Sequence, residues 1–563
     1  MNKTMKLYSS LAAAIMLSTS FLVPMTHAET YNQKEDQLFR EFQLQHSHLF
    51  TMKDVSTPTD TTQTQVSTQA IYKQQIEADQ IHGYIFKTSG GSFTVKTLDQ
   101  QTGSGSIAYH IYNVDSDNML TPSSTGDISL PAGTYDFLVA SISDQPITYN
   151  YELDGPFSVE PDTTLPSLQV TSPTLNQFRV QKGSSSDVTF TGTSNADQLT
   201  LTNGNADINL GTTGTFNQKM TLKNGMNDLV LTATGPSGNV VTYYYSITLP
   251  GVSRFQGNDR YEVSSAVSQE LISEGANTSG TIIIAKGDVF SDALSGGPLA
   301  TVEDAPILLT PTKALPDSVI GQIKTLAPTK AIILGGTSSV STNIETQLKS
   351  LGVTTIDRVS AKDRYGVAAT VADRISGQTQ SDTAIIASGE VFPDALSACT
   401  IAGPNGMPIL LVQSGTVPDS IQTYIKNHPE VKNFVVVGGT ATVKDSVITK
   451  IKALRSGAIV DRISGKDRYD LSIKVAEYGI EHYQMDMTNV AIARGDSFAD
   501  ALSGAPLANY LVAPILLTPT TKLDSGISSF LSAHSSEIDN MYIFGGTASV
   551  SQNTETQLNS FIK

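Results

Sequence analysis

Two hydrophobic rhythms divide the chain. Up to about residue 250, apolar and polar positions alternate in short runs. Ser92-Phe93-Thr94-Val95-Lys96-Thr97-Leu98 and Ile107-Ala108-Tyr109-His110-Ile111-Tyr112 put every second side chain on one face, as half-buried strands do. Leu130-Pro131-Ala132-Gly133-Thr134-Tyr135 is a turn that feeds a strand running on to Val139. Val188 to Thr193, Asp228 to Ala233 and Val240 to Leu249 read as further strands, with turns at Asn224-Gly225-Met226-Asn227 and Gly235-Pro236-Ser237-Gly238-Asn239. These patterns predict two β-sandwich domains, residues 81–159 and 165–250. Beyond residue 250 the runs become apolar throughout: Thr281 to Ala285, Pro306 to Thr310, Ala331 to Leu334. Helical stretches separate them, one starting near Asp292-Ala293-Leu294, one opened by Pro316-Asp317 and carried by Ile320, Ile323 and Leu326, one marked by Ile344, Leu348 and Leu351. Continuous apolar strands between amphipathic helices predict a parallel sheet covered on both faces, a Rossmann-like or flavodoxin-like layout.

That second rhythm is written three times. Arg254-Phe255-Gln256-Gly257-Asn258-Asp259-Arg260-Tyr261 returns as Arg358 to Tyr365 and as Arg462 to Tyr469, a period of 104 residues. A period near 100 is long for a solenoid and right for a small domain. The expected copies are 254–357, 358–461 and 462–563. Three equal domains in series suit a repetitive target better than a single active site.

The remaining sequence changes this picture in a few places. Residues 29–80 are polar, Thr/Gln-rich from Thr57 to Gln69, and read as a spacer in which Leu38, Phe39, Phe42 and Leu44 form a short amphipathic helix. Residues 1–28 read as a secretory signal: Lys3 and Lys6, an apolar stretch from Leu7 to Val23, and small residues around Thr26-His27-Ala28. No later run is apolar over the 18 or so residues that span a membrane. The chain ends in Phe561-Ile562-Lys563, without the tail of a covalently sorted wall protein, so attachment to a cell is expected to be non-covalent. The single cysteine, Cys399, excludes an internal disulfide and reads as a small buried residue where the other copies have Gly297 and Ala505. Net charge is −17, and no basic stripe suggests nucleic acid.

Comparing the copies isolates the candidate chemistry. Each keeps Asp-Arg-Tyr (Asp259, Arg260, Tyr261; Asp363, Arg364, Tyr365; Asp467, Arg468, Tyr469). Each keeps Phe-x-Asp-Ala-Leu-Ser, from Phe290, Phe392 and Phe498, and a Pro-Ile-Leu-Leu strand. Each keeps a glycine turn: Gly335-Gly336-Thr337, Gly438-Gly439-Thr440, Gly545-Gly546-Thr547. A glycine turn between strand and helix points backbone N–H groups outward at a helix N-terminus, where an anion would sit; the alternative is tight packing. The Asp of Phe-x-Asp-Ala-Leu-Ser stands where a helix N-cap belongs. The Asp-Arg-Tyr arginine either pairs with an anionic ligand or bridges to a neighbouring copy. Lys286 and Arg494 are equivalent basic positions, and the second copy replaces them with Ser388-Gly389-Glu390. No histidine sits at a matching offset from Ser295, Ser397 and Ser503, so a repeated Ser-His-Asp set is not expected. His46, His48, His82 and His110 lack metal-binding spacing, and Asp115 and Asp117 are read as solvated loop carboxylates. Phosphate-loop signatures are missing.

Taken together, the period, Asp-Arg-Tyr, Phe-x-Asp-Ala-Leu-Ser, Pro-Ile-Leu-Leu and the glycine turns resemble the type 2 cell-wall-binding repeat of Gram-positive bacteria, from Arg254 to Lys563. The resemblance implies three α/β modules in a pseudo-threefold assembly. It also implies a secreted protein held non-covalently to an anionic secondary wall polymer, a teichoic acid or charged polysaccharide, with no cofactor unless a divalent cation bridges the two. Residues 81–159 resemble the pre-peptidase C-terminal domain, and 165–250 are similar to bacterial immunoglobulin-like domains. Those domains would display the protein or contact another wall or extracellular protein. The alternative implied role is a wall hydrolase, or an accessory of a wall hydrolase or extracellular protease. From Gly251 onward the chain holds 24 Lys+Arg against 31 Asp+Glu, a net −7. An acidic array that holds an acidic polymer must rely on short-range donors.

Overall fold

The computed structural model describes residues 67–563 apart from 78–79, 99–106, 117, 121, 124, 142–145, 204–206, 277–278 and 291–292. The expected signal, most of the expected spacer, Asp117 and Asp292 lie outside the described residues. The chain divides into two compact units, one up to Leu249 and one from Pro250.

The first unit is β-rich. Its strands form a 13-stranded sheet and a separate three-stranded sheet. Two cores fill it. One is aromatic, around Tyr72, Tyr84, Phe86, Phe93 and Phe137. The other surrounds Phe190, Leu199, Leu231 and Tyr245. The two regions read as separate domains share one sheet, because Val240–Tyr243 pair antiparallel with Gln80–Gly83. Asn239 fixes this joint: its Oδ1 accepts the Ile85 N–H at 2.8 Å, and its Nδ2 donates to the Asp162 and Thr164 carbonyls. The expected spacer also ends early. Ser67–Ile76 is a strand paired antiparallel with Ile147–Phe157. Its polar composition hides three buried side chains, Ala70, Tyr72 and Ile76, which pay for its ordering with core contacts.

The second unit contains three four-stranded parallel sheets. In each, the first strand (Thr281–Lys286, Thr383–Ser388, Asn489–Arg494) lies between the second (Ile307–Thr310, Ile409–Val412, Ile515–Thr518) and the third (Lys330–Leu334, Asn433–Val437, Asn540–Phe544). The fourth strand comes from the next copy. Thr355–Val359 joins the first sheet and Ile459–Ile463 the second. Gly251–Phe255, at the start of the array, joins the third by pairing with Asn540–Phe544. The folding unit is therefore offset from the sequence repeat, and the array closes into a ring.

Small residues let the modules meet. Helices Gly296–Val302, Pro393–Ala402 and Ala499–Tyr510 pack together at the centre. There a Cβ on Gly297 would stand 2.8 Å from Cys399 Sγ and 3.4 Å from the Ala505 Cβ. One turn along, Asn509 Nδ2 donates to Thr301 Oγ1 at 2.8 Å, against Gly403. Burial pushes the Cys399 thiol up to about 12, as fits a packing residue. One apolar core runs through all three modules.

Candidate functional site

The segment from the first arginine to Asp-Arg-Tyr is the joint between modules. Arg358 sits on the fourth strand of the first sheet, where Nη1 donates to the Gly335 carbonyl at 2.8 Å and Nε and Nη2 grip Glu345 at 2.8 and 2.6 Å. Arg462 donates through Nη1 to the Gly438 carbonyl at 2.7 Å and through Nη2 alone to Asp445 at 3.1 Å. Arg254 does it across the ring closure, with the Gly545 carbonyl at 2.8 Å and Glu555 at 3.0 and 2.8 Å. Five residues later, Asp259, Asp363 and Asp467 cap the first helix of the following module. Each carboxylate accepts two first-turn N–H groups at 2.9–3.1 Å, contributing about 1 kcal/mol.

The middle residue of each triplet faces a neighbour. Arg260 lies over the Phe498 ring with Cζ 5.9 Å from its centroid; Arg364 lies over Phe290 at 5.6 Å and Arg468 over Phe392 at 5.7 Å. The three phenylalanines cluster with centroids 5.7–6.1 Å apart. Each arginine also donates within its own module, to the Gly287, Gly389 or Gly495 carbonyl at 2.5–2.6 Å. Tyr261, Tyr365 and Tyr469 press on those same glycines: a Cβ there would come within 2.6–2.7 Å of the tyrosine Cε1. Tyr261 donates to Asp288 at 3.1 Å, and burial first, then Asp288, pushes its hydroxyl up to about 12.

Two sequence expectations change. Phe392 and Phe498 occupy the N-cap position, and Asp394 and Asp500 lie inside the first helical turn. Each helix starts two residues earlier than a cap at Asp394 or Asp500 would place it, and both carboxylates are buried. They pack beneath the glycine turn, where a Cβ on Gly438 would meet Asp394 Oδ2 at 2.5 Å. Gly438 and Gly545 also have φ of 126° and 106°, so glycine is required there twice over. Asp500 accepts from Ser549 Oγ at 2.8 Å. Burial raises both carboxyls above their ordinary value, opposed by Arg468 at Asp394 and by Arg260 and Arg494 at Asp500.

Nor does the glycine turn open the following helix. The N–H groups of Ser339, Thr442 and Ser549 close back on the carbonyls of Gly336, Gly439 and Gly546 at 2.8–3.0 Å. Val340, Val443 and Val550 must reach the core before the helices begin at Thr342, Asp445 and Gln552. What faces outward is the second glycine and the threonine. A Cβ on Gly336 or Gly439 would meet nothing within 4 Å, and Thr337, Thr440 and Thr547 are exposed.

These parts meet three times at the C-terminal strand ends, where the first strand ends beside the third and the strand order reverses, the place at which a doubly wound sheet leaves a crevice. In doubly wound sheets this is where ligands bind. Ala285 pairs with Leu334, Ala387 with Val437 and Ala493 with Phe544, so Lys286, Ser388 and Arg494 each lead out beside a glycine turn. The neighbouring module's arginine lies close to the second and third of these ends, where Arg468 acts on Asp394 and Arg260 on Asp500. Asp394 and Asp500 are buried, as are Ser295, Ser397 and Ser503, so the repeated serines do not line an open site. Among the described residues no group of three His, Cys, Asp or Glu side chains is placed to hold a metal ion. Asp115 accepts the Thr134 N–H at 2.7 Å. Sequence reasoning missed the phenylalanine cluster and the acidic partners Glu345, Asp445 and Glu555. The phenylalanines recur at fixed places, but nothing local links residue 260 to residue 498.

Residues 254–345, 358–448 and 462–555 match the family model of cell wall binding domain 2. The second unit is three cell-wall-binding repeats. Such repeats bind cell wall, and they make this chain a wall-associated protein of the Gram-positive surface type. The chain is 30% identical over 307 residues to the N-acetylmuramoyl-L-alanine amidase LytC of Bacillus subtilis (strain 168), covering 54% of this chain and 58% of that protein. It is 32% identical over 321 residues to the amidase enhancer of the same organism, covering 56% of this chain and 42% of that protein. The chain thus spans about half the length of these relatives. Cwp6 from Clostridium difficile shares the fold, with a TM-score of 0.53 and 21% identity over 71% of this chain and 68% of that one. No helix among the described residues is long and apolar enough to cross a membrane.

Proposed function

We propose that the ring of repeats anchors the chain non-covalently to an anionic secondary wall polymer, a teichoic acid or charged polysaccharide, while residues 67–249 are displayed for contact with another wall or extracellular protein. The observation that carries this reading is the repetition of one strand-end crevice three times on a closed ring, each with an open glycine turn and an arginine borrowed from the next module. A polymer repeats its own chemistry along its length, so three weak contacts on one frame act together. Effective concentration strengthens such binding by about 10²–10⁴ over one contact. With a net charge of −7 from Gly251 onward, long-range attraction is not the source. Backbone N–H groups and paired cations acting at short range are.

Co-sedimentation of the full chain with native Gram-positive walls, and with walls stripped of phosphodiester-linked polymer, tests this. Retention on native walls alone is expected, unchanged by EDTA because no bridging cation is invoked. Equal pelleting on both walls rejects the polymer as receptor. A second reading, an accessory of a wall hydrolase, draws on the amidase and amidase enhancer among the relatives. Zymography separates them: stimulation of an added amidase supports the second reading, whereas clearing of peptidoglycan by the chain alone would make the chain a hydrolase itself.

A further inference from the structure

The three crevices share a backbone but not a charge. Their C-terminal strand ends carry Lys286, Ser388 and Arg494, each followed by a glycine and a carboxylate. That carboxylate is engaged differently in each copy. Asp496 forms a bidentate pair with Arg494, which holds its carboxyl below the ordinary range. Glu390 Oε2 accepts the Ser414 N–H at 3.1 Å, and Ser388 Oγ accepts the Glu390 N–H at 3.1 Å. Asp288 accepts the Tyr261 hydroxyl at 3.1 Å instead of pairing with Lys286. Among the described residues Lys286 has no ion-pair partner.

We infer that the crevices are ranked anion subsites: the first, at Lys286, grips the polymer most strongly, the third more weakly, and the second least. This rests on the proposed polymer-binding role. An anion entering the first crevice meets an ammonium at a strand end beside the open Gly336-Thr337 turn, and among the described residues it displaces no carboxylate paired with that ammonium. In the third crevice the anion must compete with Asp496 for a guanidinium already held on two nitrogens. In the second the strand-end position offers a buried hydroxyl, so the copy lacks the cation that offsets the neighbouring carboxylate in the other two. Chain order thereby becomes a binding polarity around a ring whose backbone is nearly symmetric.

The test uses the full chain, native walls, and walls extracted to remove phosphodiester-linked polymer. Lys286→Met keeps most of the apolar stem and removes the charge; Arg494→Met removes the charge in the third copy and leaves a shorter apolar stem. Lys286→Met is expected to weaken retention about tenfold, the effect of one charge-assisted contact, and Arg494→Met by about threefold or less. Rewriting the second copy as the first, with Ser388→Lys and Glu390→Asp together, is expected to tighten retention by about threefold to tenfold. Hydrogen exchange of each variant, matching wild type outside the altered strand, shows that folding is intact. Equal losses at Lys286 and Arg494, or no gain from the rewritten second copy, overturn the ranking while polymer dependence stands. Equal wild-type retention on extracted walls removes the polymer-binding reading itself.

Discussion

Arg254→Ala opens the ring at the one seam where the two ends of the array meet. The guanidinium is 9% exposed and its partner Glu555 is 22% exposed. Nη1 also satisfies the Gly545 carbonyl at 2.8 Å. Removing one member of a fully buried pair costs about 3–5 kcal/mol, because the other charge is left unpaired. Residual exposure of Glu555 lets water recover part of this, so about 2–3 kcal/mol is expected, with a further 1 kcal/mol or so for the orphaned carbonyl. For a unit of this size that is a fall of roughly 5–10 °C in melting temperature. Hydrogen exchange is the informative assay, because the loss should appear in two distant places: Gly251–Phe255 and Asn540–Phe544, which pair in parallel across the closure. Arg358→Ala, which removes the same bonds to Gly335 and Glu345, should instead loosen Thr355–Val359 and Lys330–Leu334. Unchanged protection at Asn540–Phe544 in the Arg254 variant, or a stability within about 0.5 kcal/mol of wild type, refutes the clasp.

Other consequences are equally specific. Gly389→Ala places a methyl 2.6 Å from the Tyr365 ring and 3.3 Å from Arg364 Cδ, and should destabilise the second module by about 1–3 kcal/mol in a urea melt. Cys399 should not react with Ellman's reagent until the array unfolds, since its side chain is fully buried and its thiol is raised to about 12; Cys399→Ala, as at Ala505, should be tolerated, whereas Cys399→Leu should disrupt the axis. In the β-rich unit, burial raises Asp136 to about 7, so below the unfolded carboxylate range both states are protonated and nothing is lost. As pH rises from about 4 toward 7 the unfolded chain ionises and the folded one resists, which drains stability. Asp136→Asn removes that drain, so its stability relative to wild type should grow over this window by up to about 4 kcal/mol in denaturant titrations. His82 acts in the opposite sense. Burial depresses it to about 3, so its contribution is present above about 6.5 and fades as pH falls; a His82→Gln variant should lose less on acidification than wild type.

How far the residues alone led depends on the range of the interactions involved. The parallel strands were plain because Ile282, Ile283 and Ile284 are buried on both faces of a sheet, which forces a continuous apolar run. The period of 104 marks the modules but does not show which sheet each edge strand joins. A strand such as Thr355–Val359 is followed directly by its own copy's helix, and no local pattern shows that it hydrogen-bonds to the preceding copy. Asp-Arg-Tyr stands out by its repetition, which does not show its division of labour. Asp259 acts on its neighbours Tyr261 and Glu262, an interaction spacing can suggest, whereas Arg260 acts on Phe498. Asp394 was misread because a carboxylate near a helix start serves as a cap unless the fold turns it inward, and the glycine turn that receives it is 44 residues away. In the β-rich unit, Tyr72 is fully buried within a strand whose other residues are mostly polar, so alternation was too weak to mark it.

Non-covalent anchoring as proposed requires that the closed ring, unit Pro250–Lys563, hold the wall unaided. The direct measurement is the fraction of that unit, expressed alone, that co-sediments with native walls, set beside the full chain at the same concentration. Matching retention that disappears on polymer-stripped walls is expected. A unit that folds, as judged by hydrogen exchange, yet stays in the supernatant would contradict the account.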